Sequence, residues 1–86
     1  MESKPKIVLV DDDPAILDSY SLLWKNRFTL VCVSDLGTAL STVKNTLFDL
    51  LITDKNLGVH RGIEPLLNYM KEEKPYIPVI LFSGED

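Results

Sequence analysis

The chain has 86 residues, 45% of them hydrophobic and 26% charged, which is the composition of one small folded domain over 1–86 and excludes a disordered segment. Thirteen acidic against nine basic residues give a net charge of −4, and the basic stripe that a nucleic-acid surface needs is missing. No apolar run approaches the ~20 residues of a membrane span, and Met1-Glu2-Ser3-Lys4 lacks the apolar stretch of a signal peptide.

The cytoplasm is therefore the expected compartment, with no membrane partner. Cys32 is the single cysteine, so no internal disulfide can form, and its place in an apolar strand predicts a buried, inert thiol.

The predicted elements alternate along the chain. A first strand covers Lys6–Val10 and a helix runs from Pro14 to about Asn26. A second strand covers Phe28–Val33, and a second helix Leu36–Asn45. The third strand is Leu50–Thr53, the third helix about Gly62–Glu73, and the fourth strand Ile77–Phe82. Strand–helix alternation with short connections implies right-handed crossovers and a parallel sheet. In the first helix, Ile16, Tyr20 and Leu23 form the expected core line, with Leu17, Leu22 and Trp24 beside it. That arc is wider than covering a sheet requires, which predicts a second contact. In the third helix Ile63, Leu66, Leu67 and Met70 have core spacing, and Pro65 is tolerable only in the first turn.

Two of these strands run straight into aspartate: Ile7-Val8-Leu9-Val10 into Asp11-Asp12-Asp13, and Leu50-Leu51-Ile52-Thr53 into Asp54. Such short aliphatic runs read as strands buried on both faces. Ligands of open parallel sheets bind outside the carboxyl ends of the strands. Neighbouring strands lie about 4.8 Å apart, so adjacency would put these carboxylates in one crevice. Like charges so crowded need a cation, or one acid must take a proton. Without these four aspartates, acids and bases balance at nine each, so the excess negative charge belongs to this place. Asp13 before Pro14 also suits a helix N-cap. Asp54 before Lys55-Asn56-Leu57-Gly58 could by itself be turn chemistry.

Taken with Phe48-Asp49 before the third strand and with Pro78-Val79-Ile80-Leu81-Phe82-Ser83-Gly84, these motifs resemble the receiver domains of bacterial two-component response regulators. Gly37 and Ala39-Leu40 fall where that family starts its second helix. The resemblance covers nearly the whole chain. It implies a flavodoxin-like parallel sheet, of order 2-1-3-4 for the four strands present. It implies Asp54 as phosphoacceptor, with a histidine kinase, phosphotransfer protein or small phosphodonor as source. Mg²⁺ would be held directly by Asp12, Asp54 and the Asn56 carbonyl, and through water by Asp11. Ser83 would be the switch hydroxyl that donates to the phosphoryl group. Asn56 and Glu85 would tune hydrolysis of the aspartyl phosphate.

The chain also departs from that pattern. Leu57-Gly58 replaces the family's Met-Pro pair, and the sequence stops at Asp86. The fourth helix, the fifth strand with its phosphate-contacting lysine, and the fifth helix are lacking, which predicts a natural truncation and slow phosphorylation. Lys55, His60 and Arg61 are read as solvated loop charges rather than as a substitute for that lysine. Order 2-1-3-4 makes the fourth strand an edge, uncharged and blunted only by Pro78. A homodimer through that edge or through the first-helix face is expected. The competing expectation is a pseudo-receiver that works as a protein-interaction module without phosphate. Asp11-x-Asp13 is only faintly similar to the nucleophile motif of haloacid-dehalogenase-like phosphatases, and no glycine-rich phosphate loop is present. A non-enzymatic signalling role is therefore expected.

Overall fold

The structure is a computed structural model and describes residues 4–54 and 62–82. Its elements follow in the order β1 (Lys6–Val10), α1 (Pro14–Trp24), β2 (Thr29–Val33), α2 (Leu36–Asn45), β3 (Leu50–Asp54), α3 (Glu64–Glu73) and β4 (Val79–Phe82). The four strands form one parallel sheet in the order β2-β1-β3-β4, as the motifs implied. β1 lies at its centre, with Val8, Leu9 and Val10 fully buried. The continuous apolar run Ile7–Val10 follows from this position, since both faces of a central parallel strand are covered.

One face carries a core of Val8, Val10, Leu51, Ala39, Val43, Leu66 and Met70 beneath α2 and α3. The other face carries Ile7, Leu9 and Ile52 beneath Leu17, Tyr20 and Trp24 of α1. Register is pinned at the strand starts. The Asp49 carboxylate accepts from Lys6 N–H at 2.8 Å, while Asp49 N–H donates to the Lys6 carbonyl at 2.8 Å. Lys74 Nζ donates to the Val43 carbonyl and lies 5.2 Å from the centre of the Phe48 ring, tying the end of α3 to the end of α2.

Several boundaries and one face differ from the sequence reading. α1 ends at Trp24 because the Arg27 and Phe28 N–H groups both turn back to the Trp24 carbonyl. α3 starts at Glu64, placing Pro65 in the first turn where its missing N–H costs nothing. β4 starts at Val79, after a turn in which Ile77 N–H donates to the Lys74 carbonyl. In α1 the line facing the sheet is Leu17, Tyr20 and Trp24, whereas Leu23 is 70% and Leu22 71% exposed. Leu17, Tyr20 and Trp24 follow the three-and-four spacing of one helix face, and Leu23 falls off it. Cys32 is exposed, with Sγ 3.6 Å from Ser21 Oγ, because β2 is an edge strand that α1 only partly overlies.

Candidate metal centre

The acids sit where two central strands end side by side. Val10 pairs with Thr53, so Asp11, the residue after β1, and Asp54, the last residue of β3, lie side by side. Both are buried, at 3% and 8% exposure, while Asp12 and Asp13 are exposed. Asp11 N–H closes onto the Val33 carbonyl at 3.1 Å, extending the β1–β2 ladder by one step.

The three consecutive acids divide their work. Asp13 is the N-cap of α1, its Oδ1 accepting from Ala15 N–H at 2.9 Å, and Pro14 occupies the first helical position. Asp13 N–H donates to Asp11 Oδ1 at 2.8 Å. Burial raises the Asp11 pKa above its ordinary value. That hydrogen bond opposes the rise, and the negative charges of Asp54, Asp12 and Asp13 add to it. A carboxylate in such surroundings gains most from a positive charge.

Asp11, Asp12 and Asp54 each bring a carboxylate oxygen within 4.8 Å of the others. Two oxygens on opposite sides of a Mg²⁺ ion at ~2.1 Å lie about 4.2 Å apart. A set this close therefore fits a small hard cation that keeps part of its water. The surrounding cavity, of about 380 Å³, is lined by Asp11, Asp12, Asp13 and Asp54 on one side and by Ile16, Tyr20 and Phe82 on the other.

The structure thus brings together Asp11, Asp12 and Asp54 from the expected set. Asn56 and Ser83 lie outside the described residues, as do Lys55, Leu57, Gly58, His60, Arg61 and Glu85. The aromatic wall was missed in the sequence. Tyr20 stacks on Trp24 at 4.8 Å and meets the edge of Phe82 at 6.3 Å. The i, i+4 spacing of Tyr20 and Trp24 was a signal for the first contact. For the second, only the place of Phe82 at the carboxyl end of β4 could have served.

A parallel α/β sheet with carboxylates converging at the carboxyl ends of two adjacent central strands defines a doubly wound protein with an acidic crevice that could hold a cation. The profile described as the response regulator receiver domain matches residues 7–86, and the chain belongs to that family. Receiver domains are signalling modules of two-component systems and work in general with histidine kinases or phosphotransfer proteins.

Solved structures agree. The signal receiver domain of an HD domain-containing protein from Pseudomonas fluorescens Pf-5 superposes with a TM-score of 0.84 at 27% identity, over 99% of this chain and 62% of that one. Full-length FixJ from B. japonicum matches with a TM-score of 0.80 at 25% identity, over 98% of this chain and 41% of that one. A sensor protein from Polaromonas sp. JS666, at 21% identity and a TM-score of 0.79 over 92% of this chain and 65% of that one, shares the fold. The chain thus spans less than two thirds of the length of each of these structures. No curated protein matches it. No helix among the described residues is long and apolar enough to cross a membrane.

Proposed function

We propose that residues 1–86 act as one cytoplasmic phosphoacceptor unit in two-component signalling. Asp54 takes the phosphoryl group in this reading, and Asp11 and Asp12 hold Mg²⁺ beside it. The observation that carries it is the convergence of Asp11, Asp12 and Asp54 oxygens within 4.8 Å at the end of β3.

In this reading an Asp54 oxygen attacks phosphorus, the bond from phosphorus to the donor's nitrogen or oxygen breaks, and the departing group keeps the electron pair and takes up a proton. Three carboxylates would repel an incoming phosphoryl group. Mg²⁺ supplies the positive charge that offsets this and the charge developing on the phosphoryl oxygens. Asp12 and Asp54 would bind it directly with the Asn56 carbonyl, and Asp11 through water. Ser83 would donate its hydroxyl to a phosphoryl oxygen. The donor would be a histidine kinase, a phosphotransfer protein or a small phosphodonor, and a second copy of the chain would be a further partner.

Treatment with acetyl phosphate and Mg²⁺, followed by intact mass, tests the reading. One added phosphoryl group is expected, absent in Asp54→Asn and absent when Mg²⁺ is chelated. An unmodified wild-type chain would instead favour a module that signals without phosphate.

A further inference from the structure

Charge is sorted along the strand direction. In a parallel sheet joined by helical crossovers, strand starts and helix ends lie at one end of the domain, and strand ends and helix starts at the other. All seven described lysines and arginines lie at the first of these ends. Asp11, Asp12, Asp13, Asp35, Asp54 and Glu64 lie at the second, and among the described residues no base joins them.

At the basic end Lys4 and Lys6 lead into β1, Lys25 and Arg27 follow α1, and Lys44 stands in the last turn of α2. Lys4 Nζ donates to the Lys25 carbonyl at 2.9 Å, which draws two of these charges together. Asp49 is the one described acid beside them, and its carboxylate already accepts from Lys6 N–H at 2.8 Å. At the end of α3, Lys71 and Lys74 are offset by Glu72 and Glu73. Leu47, three residues after Lys44 in the turn into β3, is 88% exposed. None of the residues from Lys4 to Asp49 belongs to β4. Helix dipoles favour Lys25 and Lys44 where they stand, but ask nothing of Lys6 or Arg27.

We propose that this end docks reversibly on an anionic bilayer surface, with Leu47 entering the headgroup layer and Lys4, Lys6, Lys25, Arg27 and Lys44 meeting lipid phosphates. The bases run from the end of α1 on one face of the sheet to the end of α2 on the other, roughly 20 Å or two helix diameters. A plane of negative charge meets all of them, whereas a single acidic strand or helix would meet one side. Apolar contact and attraction to anionic lipid add in such surface binding. The net charge of −4 does not oppose it. The rise along β1 from Lys6 to Asp11 is about 16 Å, and charges beyond the ~8 Å screening length are felt weakly. Docking in this way turns the acidic crevice toward water. It departs from the sequence-based expectation of no membrane partner, which rested on the lack of a spanning run and does not bear on contact with a surface.

Co-sedimentation of the 86-residue chain with vesicles of phosphatidylcholine and phosphatidylglycerol, and with vesicles of phosphatidylcholine alone, tests this. Retention is expected on the anionic vesicles at low ionic strength, and its loss at high ionic strength and on phosphatidylcholine alone. Lys25→Gln with Arg27→Gln, at exposed positions, should weaken partitioning about fivefold for each base removed, roughly 25-fold together. Leu47→Ser should weaken it further, with helical dichroism unchanged in each variant. Lys71→Gln, beside Glu72, should change it little. No retention on anionic vesicles at low ionic strength overturns the proposal, as does equal retention on phosphatidylcholine alone. Equal losses in Lys71→Gln and in the Lys25, Arg27 variant would mean that net charge governs, and overturn the patch. Capture by polyglutamate without retention on vesicles would assign the patch to an acidic protein and also overturn it.

Discussion

Asp13 N–H donates to Asp11 Oδ1 at 2.8 Å, while Asp13 Oδ1 accepts from Ala15 N–H at 2.9 Å. The first turn of α1 and the buried acid are thereby locked to one another. Asp12, between them, points to the exposed side of the same crevice. The three adjacent aspartates sit in three different surroundings, so their variants should separate cleanly.

Asp11→Asn should raise the melting temperature of the metal-free protein by a few degrees at neutral pH. Burial and the neighbouring carboxylates penalise the Asp11 charge, and asparagine keeps the oxygen that accepts from Asp13 N–H. The sign follows from linkage. A raised folded pKa means that the native state holds the proton more tightly than the unfolded chain. Stability is greatest below the ordinary carboxylate value and falls as pH rises through the raised one. Thermal melts with and without Mg²⁺ check this: the cation should stabilise the wild type, and stabilise Asp11→Asn less.

Asp12→Ala should weaken Mg²⁺ binding at least about tenfold, whereas Asp13→Ala should leave binding nearly unchanged and cost about 1 kcal/mol of stability through loss of the helix cap. Amide chemical shifts followed through a Mg²⁺ titration, with denaturant midpoints of both variants, separate the two effects. Equal Mg²⁺ affinity in wild type and Asp12→Ala would remove Asp12 from the site.

Asp35 caps α2 and carries an acid-sensitive share of stability. Its Oδ1 accepts from Thr38 N–H at 2.6 Å and its Oδ2 from the Thr38 hydroxyl at 3.2 Å. The backbone hydrogen bond, then the hydroxyl, holds its pKa below the ordinary value. With the folded pKa depressed, the contribution is complete above the unfolded value and is lost as pH falls through the folded one. Asp35→Asn keeps the cap without the charge, so its urea midpoint should depend less on pH than the wild type's over the acid limb.

Leu66→Ala should cost about 2–5 kcal/mol, because Leu66 is fully buried between α3 and the sheet. Leu22→Ala, at a position 71% exposed, should stay within about 0.5 kcal/mol. Urea unfolding of the two variants checks the contrast. Comparable losses would mean that α1 is covered in solution.

The order of elements and the acidic site were legible because each rests on local chemistry. Ile7–Val10 and Leu50–Thr53 are too short and too apolar to be anything but strands covered on both faces, and both end in aspartate. Strand order was not legible from residues alone. It came from the resemblance, since only tertiary packing brings β1 between β2 and β3. The facing of α1 was misread for a related reason. Its apolar residues surround more than half the helix, so spacing could not choose between the line through Leu23 and the line through Trp24. Cys32 was misread because apolar strand neighbours do not reveal which strand is the edge.

The aromatic wall has an optical consequence. Trp24 is the only tryptophan of the chain, and its ring lies 4.8 Å from Tyr20 and 6.0 Å from Phe28. Tyr20 itself forms part of the wall around the carboxylates. A single tryptophan therefore sits one ring away from the carboxylates on which the proposed phosphoryl transfer would take place. Its near-ultraviolet dichroism and emission wavelength should record the state of Asp54 with no label attached, and excitation of Tyr20 should feed the same signal by energy transfer.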